Sequence, residues 1–444
     1  MNTKDFIEKP VNKLFFHYLI PAICATMVTS IYVLADTIII GKGIGATAVA
    51  ALNIALPVYN VFFGFGLLFG VGGSVLMSIY RGSGNEKKAN GFFSTALVLN
   101  IAVWLLATII CSIFAEDIAW ALGATDETID YIMDYIPWII GGTGAFLFSS
   151  FLQTFIRNDG APKLAMKGVI AGGVTNIILD YVFVYPLQMG MQGAALATVI
   201  GSTLTVLILL THFLSSKNQL RFSLKSVRIV YVRDIFVNGF TSFIIEAASG
   251  FTIFVFNMQL LKYFGNTGVT VYGIICNTAI IVTCLCKGIE QAAQPILSIN
   301  YGAGLSKRLL EIQSLSVKAS VIVCGIFVLL GLLVPNLFTY IFIHPDAAIL
   351  EMSGKAIRIY FSGFIFLGIN MVFICYFQSV AKAVSSLVLC LLRGGILITV
   401  FVCVLPICIG SSGIWFAFLA AEFTTMVIGI IIYNKEMKRI RELR

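Results

Sequence analysis

The chain contains twelve apolar stretches, each long enough to cross a lipid bilayer as a helix. A membrane-spanning helix needs about 20 predominantly apolar residues. Only 11% of the 444 residues are charged and the mean hydropathy is +0.97, which excludes a water-soluble globular protein. The sequence therefore predicts an all-α polytopic membrane protein. The twelve predicted spans lie at residues 14–40, 47–77, 91–115, 131–156, 164–185, 191–215, 234–261, 268–299, 312–335, 351–378, 384–408 and 412–434.

The basic residues fall mainly on one side of the predicted membrane. With the N-terminus placed in the cytoplasm, most of the 29 Lys and Arg residues lie on the cytoplasmic side. Cytoplasmic connections of membrane proteins carry such an excess, so both termini are predicted to face the cytoplasm. The net charge of +8 is then a topology signal, and no nucleic-acid partner is expected. The exceptions are Lys42, Lys262, Lys355 and Arg358 on the outer side, and Lys287 and Arg393 within spans.

The second half of the sequence repeats the first when the numbering is shifted by 220. The longest polar connector lies near the midpoint and divides the chain into a first six-helix lobe (1–215), a basic cytoplasmic linker (216–233) and a second six-helix lobe (234–444). Because each half has an even number of spans, the repeats are parallel, an arrangement found in transporters. The matching residues are Gly45, Ser78, Gly82, Gly84, Lys87, Pro186 and Gly193 with Gly265, Ser298, Gly302, Gly304, Lys307, Pro406 and Gly413.

Two aspartates in the first half are candidates for binding a cation. A carboxylate within the membrane is unfavourable by about 2.5–3.5 kcal/mol, so such residues usually face a cavity, form a pair or serve an ion pathway. Asn176 and Asp180 are four residues apart and share one helix face. Together with Asp36 they supply two carboxylates and an amide, a set suited to Na⁺ or to a shared proton. The alternative is a structural hydrogen-bonding role.

The carboxylate pair has no counterpart in the second repeat. The residues that correspond to Asp36 and Asp180 there are Phe256 and Val400. Both are apolar, which indicates a function that needs one copy of the pair.

The acids of the second half are equally asymmetric, since Glu246 and Glu290 correspond to Thr26 and Gly70. Glu290 is three residues from Lys287, so an internal ion pair and a substrate contact are both open. We interpret Glu422 as structural and Arg393 as either a counter-ion or a side chain that extends to the inner interface.

No pattern in the sequence predicts an enzyme or a bound cofactor. No segment matches a nucleotide-binding loop, the three histidines are scattered, and the ten cysteines lie in apolar stretches without metal-ligand spacing. We therefore expect no catalytic residues, no cofactor and no metal other than Na⁺ at the candidate cation site.

The chain resembles the multidrug and toxic compound extrusion (MATE) family over essentially its whole length, and within it the bacterial branch of small drug exporters. The features that carry the resemblance are Asp36 in the first span, Arg-Asn-Asp-Gly-Ala-Pro-Lys at 157–163, the segment 176–180, Gly-Ala-Ala-Leu-Ala-Thr at 193–198, and their second-half counterpart from 377–382 through 413–415. The resemblance implies two six-helix lobes around a V-shaped cleft. It also implies rocker-switch export of cationic or amphipathic organic compounds in exchange for H⁺ or Na⁺, across the bacterial cytoplasmic membrane.

The resemblance also implies specific site residues. The first-lobe cation site of related proteins maps onto Asp36, Tyr135, Asn176, Asp180 and Thr198. The second-lobe site uses an acid on span seven, matched by Glu246, and one on span ten, where this chain offers only Glu351 at the outer end. A second-lobe cation site is therefore not expected, and Glu246 and Glu290 become candidates for attracting a cationic substrate.

The expected partners are small organic cations, amphipathic drugs and membrane lipids, and the chain is expected to be a monomer. The alternative function is a lipid-linked precursor flippase, since relatives in the wider superfamily share parallel six-helix halves. Flippases usually add spans or basic residues in the cleft. Because this chain has twelve spans and few cations within them beyond Lys287 and Arg393, small organic cations are favoured over pyrophosphate lipids.

Overall fold

A computed structural model describes residues 3–247, 249–342 and 345–442, so the outer ends of the two predicted lobes, at residues 1 and 444, lie outside the described residues. Every regular element in the described residues is helical. The helices are α1 (Thr3–Glu8), α2 (Val11–Gly43), α3 (Ala46–Gly82), α4 (Glu86–Ile113), α5 (Ala115–Ala121), α6 (Ile129–Gly141), α7 (Thr143–Asn158), α8 (Pro162–Val184), α9 (Gly190–Leu210), α10 (Ile229–Ala247), α11 (Ser249–Gly302), α12 (Ser306–Leu333), α13 (Pro335–Phe342), α14 (Ala347–Ser362), α15 (Phe364–Ser379), α16 (Ala383–Leu391), α17 (Leu397–Ile409) and α18 (Gly413–Glu442).

The described helices account for the twelve predicted spans. Ten helical stretches are long and apolar enough to cross a bilayer, and the pair α6 and α7, bent by 53°, adds an eleventh. One of the ten, from Ile229 to Gly302, comprises α10 and α11. The 54 residues of α11 alone make about 80 Å of helix, far more than the ~30 Å hydrocarbon core, and Gly265, at φ 60° and ψ −151°, interrupts α11. Divided at Gly265, this stretch supplies spans seven and eight.

The helix boundaries confirm the repeat. Helices α4 and α12 both contain 28 residues, and their first and last residues are offset by 220. The turns repeat as well, because the left-handed glycines Gly84 and Gly304, with φ 78° and 72°, occupy matching positions. Gly190 and Gly410 form a second such pair, with φ 59° and 81°. Only glycine adopts this conformation without strain, so the two halves share their turn chemistry as well as their helix lengths.

The first compact unit comprises residues 16–247 and 298–304 with the described part of 1–10. Its central helix is α3, which packs against α4, α7 and α10. The ends of α3 and α11 meet through repeat-related residues. A Cβ on Gly82 would collide with the carbonyl oxygen of Ile299, and a Cβ on Gly302 with that of Ile79. Small residues permit such close backbone approach between membrane helices.

The polar connector after α9 is bound to this unit. Its anchor is Asp159, which is buried. One carboxylate oxygen accepts a hydrogen bond from Arg81 Nη1 at 2.6 Å. The other lies 2.7 Å from His212 Nε2 and 3.0 Å from the backbone nitrogen of Gln219.

Further hydrogen bonds between the connector and α4 join Arg221 to Asn90, Ser223 to Ser94 and Arg228 to Thr95. The division into lobes at 216–233 stays a prediction, but these bonds make the connector part of the first unit.

The second compact unit comprises residues 11–15, the described part of 248–297, and 305 onward. Its core is rich in aromatic side chains, with the rings of Tyr360 and Phe418 stacked at 4.1 Å. Between α16 and α17, residues Leu392–Ile396 form a short π-helix. Such insertions are rare and often occur at functional sites.

The crossing of α3 and α11 provides a test of the fold. We expect Gly302→Ala to lower the free energy of unfolding by about 1–3 kcal/mol, because its methyl group would overlap the backbone of Ile79. Gly273→Ala is the matched control, since this helical glycine has open space beside it. Thermal unfolding of the two purified variants measures the difference, and equal midpoints would contradict the crossing.

Candidate functional site

The candidate site in the first unit begins where α8 crosses α9. Gly172 and Gly201 make this crossing close, because a Cβ on either would press against the backbone of the other. The approach places the side chains of Asn176 and Thr198 together, with Asn176 Nδ2 donating a hydrogen bond to Thr198 Oγ1 at 3.3 Å. Two glycines therefore position the amide and the hydroxyl that the sequence singles out.

The two aspartates lie side by side next to this amide. Asp180 is one helical turn beyond Asn176 on α8, Asp36 lies on α2, and the two carboxyl groups interact with each other. Both are buried, with exposed fractions of 0% and 8%. Among the described residues, no hydrogen bond of regular geometry reaches either oxygen of Asp180 or the Oδ1 atoms of Asp36 and Asn176, so the carboxyl groups contact each other and the amide without a firm donor. A group of unpaired acceptors within a membrane protein is suited to a proton or a small cation.

Tyr135 on α6 completes the group. Its side chain is buried, and its hydroxyl interacts with Thr198 and lies within electrostatic range of both aspartates. The structure thus brings together all five residues that the resemblance assigns to cation coupling. Carboxylate, amide and hydroxyl oxygens are ligands that Na⁺ accepts, and the same carboxyl groups can hold a proton.

A polar cavity of about 50 Å³ adjoins Asn176 and Thr198. This volume holds a few water molecules and is much smaller than a pocket for a drug-sized ligand. The hydroxyl groups of Tyr32 and Tyr59 lie 3.2 Å apart in its wall. The cavity is lined by Thr29, Tyr32, Tyr59, Phe63, Ser149, Gln153, Val169, Gly172, Gly173, Asn176, Thr198, Gly201, Ser202 and Thr205.

Most residues of the cavity wall carry no signal in the sequence that marks them as part of a site. Tyr32 is four residues before Asp36 on α2, so same-face helical spacing is enough to find it. Tyr59 and Gln153 lie on α3 and α7, and no spacing within one helix links them to the aspartates. They become identifiable only when the helices are packed.

The two glutamates proposed to attract substrate lie in different units. Glu246, on α10, belongs to the first unit, where it packs beside Gly64 and lies within electrostatic range of Tyr59. Glu290, on α11, belongs to the second unit and lies within electrostatic range of Arg393. The structure therefore places Glu246 in the same unit as the candidate cation site, although its sequence position is in the second half.

Arg393 is a counter-ion and does not extend to the inner interface. Its Nε atom lies 2.7 Å from Glu422 Oε1, and Asn370 Nδ2 donates to Glu422 Oε2 at 2.7 Å. The second unit thus contains a buried acid whose two carboxylate oxygens both have partners, in contrast to Asp180.

This contrast predicts opposite responses to neutralisation. In sodium-free buffer, we expect Asp180→Asn to leave the thermal unfolding midpoint unchanged or to raise it, because the amide removes a charge that has no cationic partner among the described residues. Glu422→Gln should destabilise the protein by about 3–5 kcal/mol, because it leaves Arg393 without its carboxylate. Thermal unfolding in detergent measures both. A loss in Asp180→Asn as large as in Glu422→Gln would assign Asp180 the structural role.

The MatE family model matches residues 21–182 and 240–405 of the chain. The multidrug export protein MepA of Staphylococcus aureus (strain N315) is 26% identical over 434 residues, which cover 96% of this chain and 95% of that protein. MepA of Staphylococcus haemolyticus (strain JCSC1435) is 25% identical and covers 98% and 96%.

Solved structures show the same fold. An outward-facing multidrug resistance MATE family transporter of the MOP superfamily superposes with a TM-score of 0.92 at 20% identity, covering 99% of this chain and 98% of that one. A MOP superfamily transporter from Pyrococcus furiosus gives 0.90 at 19% identity, covering 98% of each chain. Since the family model spans most of the sequence and both repeats, this multi-pass membrane protein belongs to the MatE family.

Proposed function

We propose that the chain is a secondary active exporter that exchanges cationic or amphipathic organic compounds for H⁺ or Na⁺ across the bacterial cytoplasmic membrane. The observation that carries the proposal is the buried pair of Asp36 and Asp180, which lies next to Asn176, a residue that lines the polar cavity. The full-length similarity to proteins named for multidrug export supports the choice of substrates. That both termini face the cytoplasm remains a prediction from the distribution of basic residues.

The aspartate pair supplies a physical basis for exchange. Burial disfavours two neighbouring negative charges, so uptake of H⁺ or Na⁺ stabilises whichever conformation buries them most. A cation drives a conformational change only to the extent that its affinity differs between the two states. Export follows when the cation and the organic compound favour opposite states of an alternating-access cycle, which is a coupling between two binding events.

We assign substrate attraction to Glu246 and Glu290. An organic cation that leaves water needs a compensating charge, and a carboxylate beside aromatic rings supplies both charge and apolar surface. Glu246 has this environment, because it lies near Tyr59, whose ring stacks on that of Phe63 at 6.0 Å. For Glu290 the assignment rests on its position within the membrane-spanning part of α11.

Asp36→Asn tests the coupling role. We expect the variant to be present in the membrane at a normal level and to lose gradient-driven ethidium efflux, because one carboxylate of the pair can no longer take up a cation. Glu351→Gln is the matched control, since Glu351 is exposed and pairs at the surface with Lys355, one helical turn away. Efflux is measured in energised membrane vesicles under an imposed proton gradient or an imposed sodium gradient.

The outcomes separate the competing functions. Efflux driven by one of the two gradients and lost only in Asp36→Asn identifies the coupling ion. Normal efflux by Asp36→Asn would overturn the assignment of the cation site. If neither gradient drives efflux of a cationic dye by the unmodified protein, the antiport proposal fails and the lipid-linked precursor flippase takes its place.

Thr198→Val tests the hydroxyl that accepts the hydrogen bond of Asn176. Loss of one such bond is worth about 1 kcal/mol, so we expect the cation concentration for half-maximal efflux to rise about fivefold. Thr203→Val on the same helix is the control, because that hydroxyl is exposed and, among the described residues, donates to the Val199 carbonyl of its own helix at 2.7 Å. Equal effects of the two substitutions would exclude a role of Thr198 in cation binding.

A further inference from the structure

The second unit contains a polar cluster that the proposed function does not use. Glu422 on α18 is buried, with 3% of its side chain exposed, and Arg393 exposes 19%. Arg393 Nε contacts Glu422 Oε1 at 2.7 Å. Asn370 Nδ2 donates to Glu422 Oε2 at 2.7 Å and to the Glu422 carbonyl oxygen at 2.8 Å. The carboxylate is therefore held from two directions, by a cation and by an amide.

The backbone that carries Arg393 is irregular. Residues Leu392–Ile396 form the π-helix, and the Gly394 carbonyl oxygen accepts a hydrogen bond from Thr252 Oγ1 at 3.0 Å. Gly394 and Gly395 have open space beside them. A π-helix changes the direction of its side chains relative to a regular helix and is frequently retained at functional sites. Here it carries an arginine within a predicted span.

The repeat shows what occupies the same positions in the first unit. Subtracting 220 converts Arg393 to Gly173 and Glu422 to Ser202. Both of these small residues line the polar cavity beside Asn176 and Thr198. The second unit thus replaces two cavity-lining residues by a guanidinium and a carboxylate that contact each other.

A complementary exchange of size occurs on the neighbouring helix. In the first unit, Tyr32 on α2 packs against Gly173 on α8. The corresponding residues of the second unit are Thr252 on α11 and Arg393. The larger side chain of the pair is Tyr32 on α2 in the first unit, whereas in the second unit it is Arg393 in the π-helix, which is a cation. The equivalent positions therefore carry an aromatic ring and a cavity in the first unit and an internal ion pair in the second unit.

We propose that Glu422 and Asn370 form a binding site for a guanidinium group in the second unit, and that this chain keeps the site occupied with its own Arg393. Carboxylates bind guanidinium through short, charge-assisted hydrogen bonds of defined geometry. Asn370 adds a buried Oδ1 atom that has no hydrogen-bond partner among the described residues. Glu290, within electrostatic range of Arg393, adds negative charge around the site.

A cation that is part of the chain cannot be released to either side of the membrane, whereas a cation bound from solution can. Because Arg393 is covalently attached, it neutralises Glu422 without the uptake of a cation from either side of the membrane. This proposal concerns binding and stability within one unit, so it holds or fails independently of whether the chain transports organic compounds.

The test removes the internal cation and supplies it from solution. Arg393→Gly introduces the residue that the first repeat has at this position, and it should lower the thermal unfolding midpoint of the purified full-length chain. Millimolar guanidinium should then raise the midpoint of Arg393→Gly in a saturable manner, as expected for a ligand of the folded state. The same additions should not raise the midpoint of the unmodified protein, and sodium or tetramethylammonium at equal concentration should not replace guanidinium.

The matched control removes the carboxylate as well. Arg393→Gly/Glu422→Ser carries the first-repeat residues at both positions, leaves no unpaired charge, and should show no response to guanidinium. If Arg393→Gly is not recovered from the membrane, Arg393→Gln is titrated with guanidinium in the same way. The absence of a saturable rise in the single variant, or an equal rise in the double variant, would overturn the proposal.

Discussion

The unfavourable free energy of placing a charge inside a membrane protein governs the organisation of this chain. Two of its buried carboxylates are satisfied by the protein itself. Asp159 is held by Arg81, His212 and the backbone of Gln219, and Glu422 by Arg393 and Asn370. Truncating such partners is strongly destabilising, so these sites are fixed parts of the structure.

Asp180 has a different environment, because the groups that interact with it are the carboxyl group of Asp36 and the amide of Asn176, which lines the cavity. A group that the fold leaves unsatisfied is the one that an ion from solution can stabilise. The same desolvation penalty therefore produces a rigid anchor where partners are built in and a responsive site where they are not.

The two repeats show that one helical scaffold can hold either an acid paired within the protein or an acid left open to an ion from solution. Helix lengths and left-handed glycines coincide when the numbering of the two halves is shifted by 220, so the scaffold itself does not distinguish the halves. The difference lies in a few side chains: Gly173 and Ser202 leave a polar cavity, whereas Arg393 and Glu422 meet in an ion pair. Function in such a fold is determined by the contents of equivalent positions rather than by new architecture.

The sequence predicts the fold well because its main signals are local. Apolar length, the positions of basic residues and the repeat specify the number and order of helices. The cation site is also predictable in part, since Asn176 and Asp180 share a helix face. Arg393 and Glu422 lie in different helices. Their pairing depends on how these helices pack against each other, which the spacing of residues within one helix does not indicate. For the same reason the linker predicted at 216–233 does not reveal its attachment to Asp159 and to the start of α4.

A single exchangeable site sets a limit on the energetics of the proposed antiport. Two carboxyl groups accept at most two protons, and each proton contributes ~1.4 kcal/mol per pH unit of gradient. Exchange of one proton for one monovalent organic cation moves no net charge, so the membrane potential contributes nothing. Exchange of two protons moves one charge inward and adds ~2.3 kcal/mol per 100 mV. For an antiporter coupled to H⁺ through this pair, the number of protons that Asp36 and Asp180 release per cycle sets whether export responds to the pH gradient alone or also to the membrane potential.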